Sequence, residues 1–242
     1  MKKIKYFLIL LIPIFFMVLS GCSSLSVNTT KNEYSADGLV AVVKGKATKA
    51  SKLTYSINGQ KTKLKMNDGH FVFSIPMSSN NQDVKIVANN GKETSTKIVT
   101  IKAAKPIGDY TSFGQEYNYA AFVSGAPTDQ IPLVAKDGIF KYKRPNGTTL
   151  YFNVQGTSLM GISVVGTFKQ MKTKAGIKSF EGSIATLAAL SGADSKSVLK
   201  NLNKQLKDAK DGNKTTMSQI ESRGIKFNIN LSSDAFYIYI TK

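Results

Sequence analysis

The sequence predicts two folded parts in tandem, an all-β antiparallel sandwich over residues 33–103 and an α+β domain over residues 104–242. Three observations carry this. From Gly38 to Lys102, short runs of β-formers alternate with period two between the turn pairs Asn58-Gly59, Asp68-Gly69 and Asn90-Gly91. Ala103-Ala104-Lys105-Pro106 then closes the pattern, as a linker does. Beyond it, strand-like runs enclose a segment near Val198 to Leu206 whose apolar residues recur with the helical period.

Taken in order, the chain opens with Lys2, Lys3 and Lys5, followed by an uncharged apolar run from Tyr6 to Val18 and the small residues Ser20 and Gly21. This is the layout of a secretory signal peptide over residues 1–21. The run is shorter than the stretch of about 20 apolar residues that a membrane-crossing helix needs. Leu19-Ser20-Gly21-Cys22 resembles the lipobox of bacterial lipoproteins. The resemblance implies that Leu19, Ser20 and Gly21 are read by a dedicated signal peptidase, and that the Cys22 sulfur becomes a thioether to diacylglycerol before cleavage ahead of it. A thiolate, the strongest side-chain nucleophile, suits that chemistry. The implied place of work is the extracytoplasmic face of a cell membrane, held by palmitate-like acyl chains.

Cys22 is the only cysteine. With its sulfur acylated, the remaining chain of about 220 residues holds no disulfide, thiolate nucleophile or thiolate metal site and must be stabilised by packing. The formal charge is +18, and loss of Lys2, Lys3 and Lys5 lowers it by three. Such a charge favours anionic partners, outside a membrane lipid headgroups or anionic wall polymers. Arg144 and Arg223 are the only arginines. Bidentate phosphate and guanine readers are therefore scarce, and no nucleic-acid partner is expected.

Residues 22–32 include a polar stretch, Ser23 to Lys31, without hydrophobic period, which reads as a tether. In the following part Phe71, Phe73 and Ile75 share one strand face and Val84, Ile86 and Ala88 another, so six or seven strands of this spacing form the sandwich. Val43-Lys44-Gly45-Lys46, Asp68-Gly69 before Phe71, and Phe73-Ser74-Ile75-Pro76 resemble the immunoglobulin-like modules of bacterial surface proteins. That resemblance spans about Glu33 to Lys102 and implies a spacer or adhesion unit.

In the second part, Tyr110 to Phe122 is dense in aromatics without a clean period and reads as an irregular cover, with a strand near Tyr117 to Val123. Ile139 to Lys143 and Thr148 to Val154 flank the turn Pro145-Asn146-Gly147 as a hairpin. Leu159 to Phe168 is a third strand and Ile177 to Phe180 a fourth. Ser183 to Leu190 is a short helix ended by Gly192. A second helix, capped by Asp194 or Ser195 and stopped by Gly212, puts Val198, Leu199, Leu202, Leu206 and Ala209 on one face and Lys196, Lys200, Lys204 and Lys207 on the other. The chain closes with a hairpin, Ile225 to Leu231 and Ala235 to Thr241, whose Phe227, Ile229, Leu231, Phe236, Ile238 and Ile240 face the core. The domain is thus an antiparallel sheet with helices on one face.

Catalytic signatures are sparse. His70 is the only histidine, and with no second His and no free Cys the usual zinc ligand sets cannot be assembled. Ser197-Val198-Leu199-Lys200 matches the Ser-x-x-Lys spacing of penicillin-interacting enzymes but lacks their Lys-Thr-Gly strand. Gly161 to Gly166 has one residue too many for a nucleophile elbow and reads as strand. The acids Asp129, Asp137, Asp194, Asp208, Asp211 and Asp234 fall in turns or at helix ends. No catalytic residue, metal ligand or cofactor is expected. Tyr237 and Tyr239 are the candidate ligand contacts: at i and i+2 they either stack on a sugar ring or a partner's apolar patch, or pack beneath the helices with the Phe and Ile set facing another layer. The expected function is a lipid-anchored binding protein of a bacterial, Gram-positive envelope, acting on an anionic wall polymer or a membrane protein. The alternatives are a phage-type superinfection-exclusion lipoprotein and a wall-modifying hydrolase using acidic residues.

Overall fold

In the computed structural model, residues 24–210 and 217–242 are described. Leu19 to Cys22 and Gly212 lie outside them, as does the side chain of Ala209. The fold is mostly β, with several antiparallel sheets.

Eight strands precede Lys102: β1 (Ser26–Thr29), β2 (Glu33–Tyr34), β3 (Val40–Thr48), β4 (Lys52–Ile57), β5 (Gln60–Leu64), β6 (His70–Pro76), β7 (Gln82–Asn89) and β8 (Thr94–Ile101). They form two sheets, β1-β3-β6 and β2-β8-β7-β4-β5, in which only the short β2–β8 pair is parallel. Period-two alternation sends Ala41, Val43, Phe71, Phe73 and Ile75 from one sheet and Leu53, Val84, Ile86, Val99 and Ile101 from the other into one buried cluster. Asn58-Gly59 and Asp68-Gly69 both take the positive φ of tight hairpin turns. Asn90-Gly91 does not: only Gly91 has positive φ, and the Asn90 side chain instead accepts from the backbone N–H groups of Lys92 and Glu93.

The expected tether is corrected. Ser26–Thr29 is a strand paired with β3, and Leu25 and Val27 are buried in the cluster. Two apolar residues at i and i+2 suffice to seat a polar segment on a sheet edge.

The remaining elements are β9 (Gly108–Asp109), α1 (Tyr110–Val123), β10 (Gly138–Lys143), β11 (Thr149–Gln155), β12 (Ser158–Thr167), a 3₁₀ turn (Gln170–Lys172), α2 (Lys174–Leu190), α3 (Ser195–Lys210), β13 (Ile220–Ser222), β14 (Ile225–Leu231) and β15 (Ala235–Thr241). Their sheet runs β10-β11-β12-β15-β14-β13, with β9 paired to β12. Leu150, Phe152, Ile162, Val164, Phe227, Ile229, Ile238 and Ile240 on one sheet face share a buried cluster with Tyr117, Phe180, Ile184, Leu187, Val198 and Leu202 of the helices.

Three expectations here are corrected. Tyr110–Val123 is a helix, capped where the Asp109 carboxylate accepts the Ser112 N–H at 2.8 Å, and its buried Tyr110, Phe113, Gly114, Tyr117 and Ala121 do have helical spacing. Ile177 to Phe180 is not a strand but the first half of α2, whose N-cap Thr173 accepts from Gly176 N–H. Leu231 is half exposed, because the sheet ends at the Ser232 to Asp234 turn beside it.

A smaller cluster joins the two larger ones. Leu39 and Met77, at the ends of β3 and β6 nearest the second sheet, pack on Met160, Tyr151 and Tyr239. Beneath them Gly161 leaves the space: a Cβ there would meet Met77 and come within 2.8 Å of Leu39. The buried Asn153 amide donates to the backbone carbonyls of Leu39 at 3.2 Å and Met77 at 2.9 Å.

Candidate functional site

The sheet of β10 to β15 has helices on one face only, and the other face carries the residues that alternate with the core. Register aligns them in rows. Lys141, Tyr151, Ser163, Tyr239 and Asn228 are cross-strand neighbours, and Lys143, Thr149, Val165, Tyr237 and Asn230 form the next row. Tyr237 and Tyr239 therefore lie on the helix-free face, which removes the alternative that they pack beneath the helices. Their rings are 6.4 Å apart and within 19° of parallel. Lys141 Nζ stands 6.0 Å from the Tyr151 ring centre.

The two tyrosines differ in environment. The Tyr239 ring lies against Gly38, where a Cβ would come within 2.7 Å of it. Burial, with smaller contributions from Tyr237 and Asp37, raises its phenol pKa, so Tyr239 stays a neutral donor. Between Tyr151 and Tyr239 the Ser163 hydroxyl is buried without a hydrogen-bond partner among the described residues.

Beside this row, a groove of about 590 Å³ separates the first sheets from the second. Its walls carry Lys102, Lys105, Lys226 and Lys242 against one acid, Glu221, and Asn228 belongs both to the groove and to the Tyr239 row. Lys102 is paired with Glu33 at 2.7 Å, both side chains more than half exposed. Aromatic faces, side-chain amides and ammonium groups on a rigid sheet can stack, hydrogen-bond and neutralise charge. They supply binding chemistry rather than a nucleophile with a base beside it.

The other singled-out residues are scattered. His70 is exposed at the start of β6. Ser197 and Lys200 are exposed on α3, with Asp194 capping the helix by accepting the Ser197 N–H at 3.1 Å. Gly161 to Gly166 is strand. Asp129 closes a turn, its N–H donating to the Ala126 carbonyl at 2.9 Å, but it is buried, 3% exposed. One carboxylate oxygen accepts from the Tyr117 and Tyr142 hydroxyls at 3.1 and 3.0 Å, the other from Arg144, whose guanidinium also donates to Ser183. All its acceptor capacity is thus engaged. Burial, and then Asp129 itself, push the Tyr142 pKa up to about 12, and burial pushes that of Tyr117 up as well.

No protein-family model matches the sequence, and no curated protein is significantly similar to it. Among solved structures, partial likenesses occur to an endo-β-1,4-mannanase from Thermotoga petrophila (9% identity, 34% of this chain and 21% of that one, TM-score 0.30). Others are to fibronectin(III)-like modules of CbhA from Clostridium thermocellum (16%, 32% and 94%, 0.26) and to a protein from Bacteroides thetaiotaomicron (11%, 36% and 97%, 0.25). The chain spans about a fifth of the length of the mannanase, and at these scores none of the likenesses bears on function.

Proposed function

We propose that this chain is a lipid-anchored binding protein on the outer face of a bacterial, Gram-positive membrane. In this reading Cys22 carries the acyl chains, the first two sheets are an immunoglobulin-like spacer, and the second part is a separate α+β binding domain. The observation that carries the binding role is the helix-free sheet face, where the near-parallel Tyr237 and Tyr239 adjoin a groove rich in lysine. The chemistry fits an anionic wall polymer with sugar rings: rings stack on tyrosine faces while ammonium groups meet the negative charges. β3 is nine residues long, enough to hold that face about 30 Å beyond the end of the spacer where the chain enters.

The reading has two independent tests. Intact mass of the native protein gives acylation at Cys22, and Cys22→Ser abolishes it; native protein without acyl mass overturns the anchor. Retention of the protein on isolated wall material falls with added salt and falls severalfold further in Tyr237→Ala. Retention that ignores both salt and the Tyr237 change overturns the assigned binding face.

A further inference from the structure

The end of the first two sheets that faces away from the second part is basic, and the chain enters there. Only Ser23 and Ser24 separate Cys22 from the buried Leu25, so at under about 3.8 Å per residue Cys22 lies within about 11 Å of this end. Pairing fixes what surrounds it. Ser26 is opposite Thr48, Lys46 opposite His70, and Lys52 opposite Asn89, so the turns after β3, β5 and β7 all gather at the end where β1 starts. The Ala47 N–H bond to the Gly69 carbonyl and the Ser51 N–H bond to the Asn89 carbonyl tie those turns together.

Lys46, Lys49, Lys52, Lys65 and Lys92 are all exposed at this end, against Asp68 and Glu93. None of the five forms a salt bridge with a described acid. An open groove of about 1180 Å³ opens beside them, lined by Asn28, Lys44, Lys46, Lys65, His70 and Val72, the last of these 61% exposed. At the opposite end Leu39 and Met77 pack on the second part.

We infer that this end is a docking surface for the anionic headgroups of the bilayer in which the lipid is inserted. The inference rests on the anchor proposed above. With only three residues between Cys22 and the start of β1, the folded part sits on the headgroup layer rather than swinging far above it. Each lysine held near an anionic leaflet adds attraction, and the effect fades within a Debye length, about 10 Å at 0.1 M salt. Cations placed within that range of the surface, and acids kept few, fix which end faces down. The acyl chains hold the protein at the membrane and the lysines set its orientation, which keeps the second part on the side of the first sheets away from the bilayer.

The test uses the full lipidated protein in vesicles of phosphatidylglycerol or of phosphatidylcholine, with a membrane-impermeant amine reagent and peptide mapping of each lysine. Labelling of Lys49, Lys52, Lys65 and Lys92 is about fivefold slower on phosphatidylglycerol, the factor corresponding to one lysine's attraction to an anionic leaflet. Lys105 and Lys143, away from this end, label equally on both, and high salt removes the difference. In the variant carrying Lys→Gln at those four positions, Lys46 loses its protection. Equal labelling on the two vesicle types in acylated protein overturns the inference while leaving the anchor intact, whereas protein lacking acyl mass overturns both. Protection by a soluble polyanion on phosphatidylcholine vesicles without protection by phosphatidylglycerol would make this a polymer site, and the inference falls.

Discussion

The cluster between Leu25 and Ile101 is built from alternating side chains of two sheets and contains no buried charge, while the cluster between Tyr110 and Ile240 is closed by helices beside a buried ion pair, Asp129 with Arg144. The difference lies in how each closes. Two sheets face each other directly, so period-two alternation alone fills the space between them. A sheet covered by helices leaves gaps where helix, loop and hairpin meet, and Asp129 fills one of them. It ties α1 through Tyr117, β10 through Tyr142, the following turn through Arg144 and, by way of Ser183, α2. Most other charges in the molecule are solvated lysines, so this network is where ionic chemistry is structural.

The sharpest way to break that contrast is Asp129→Ala. It strands a guanidinium with a largely buried side chain and two tyrosine hydroxyls, and removing one partner of a buried pair costs about 3–5 kcal/mol. Urea unfolding of the variant should show that loss in the transition reporting α1 and the hairpin. Lys102→Ala removes the exposed partner of Glu33 and should cost no more than about 1 kcal/mol. Equal losses in the two variants would mean the Asp129 network is not the tie described.

The contact between the two clusters comes next in size. Asn153→Ala deletes three hydrogen bonds, two to the Leu39 and Met77 carbonyls in a covered site and one from the Gln155 amide, at about 1–3 kcal/mol. If the clusters unfold together in the parent, this change should split one transition into two, read by tyrosine fluorescence against strand circular dichroism. A single transition at the parent midpoint would show that the joint carries little.

The two regions also differed in how openly the sequence displayed them. The strands of the first were legible because burial alternates along each and the turns are marked by Asn-Gly and Asp-Gly. β1 was hidden because Leu25 and Val27 are the only apolar signal in a polar stretch. α1 was hidden because exposed Tyr119, Phe122 and Val123 blur the spacing of its buried residues, and the cap at Asp109 is a single residue. Of the candidate site, Tyr237 and Tyr239 were readable from their i, i+2 spacing. Tyr151, Ser163 and Asn228 join them only through register between strands distant in sequence, which no local pattern carries. The burial of Asp129 was hidden for the same reason: its partners lie 12 to 15 residues away and fold back onto it.

The smallest expected effect is the dependence of the second cluster on alkaline pH. Tyr142 holds its proton to about 12 in the folded state, because burial and the Asp129 carboxylate both oppose the phenolate, against about 10 in an unfolded chain. A raised folded pKa means the folded state binds the proton more tightly. Its contribution is therefore complete below pH about 10 and is lost as pH climbs toward about 12. The informative quantity is the difference between parent and Tyr142→Phe, in which everything the two proteins share cancels. That variant should melt at a lower temperature near neutral pH, and the gap should narrow between pH 10 and 12. A gap constant across that window would separate Tyr142 from the carboxylate to which it donates.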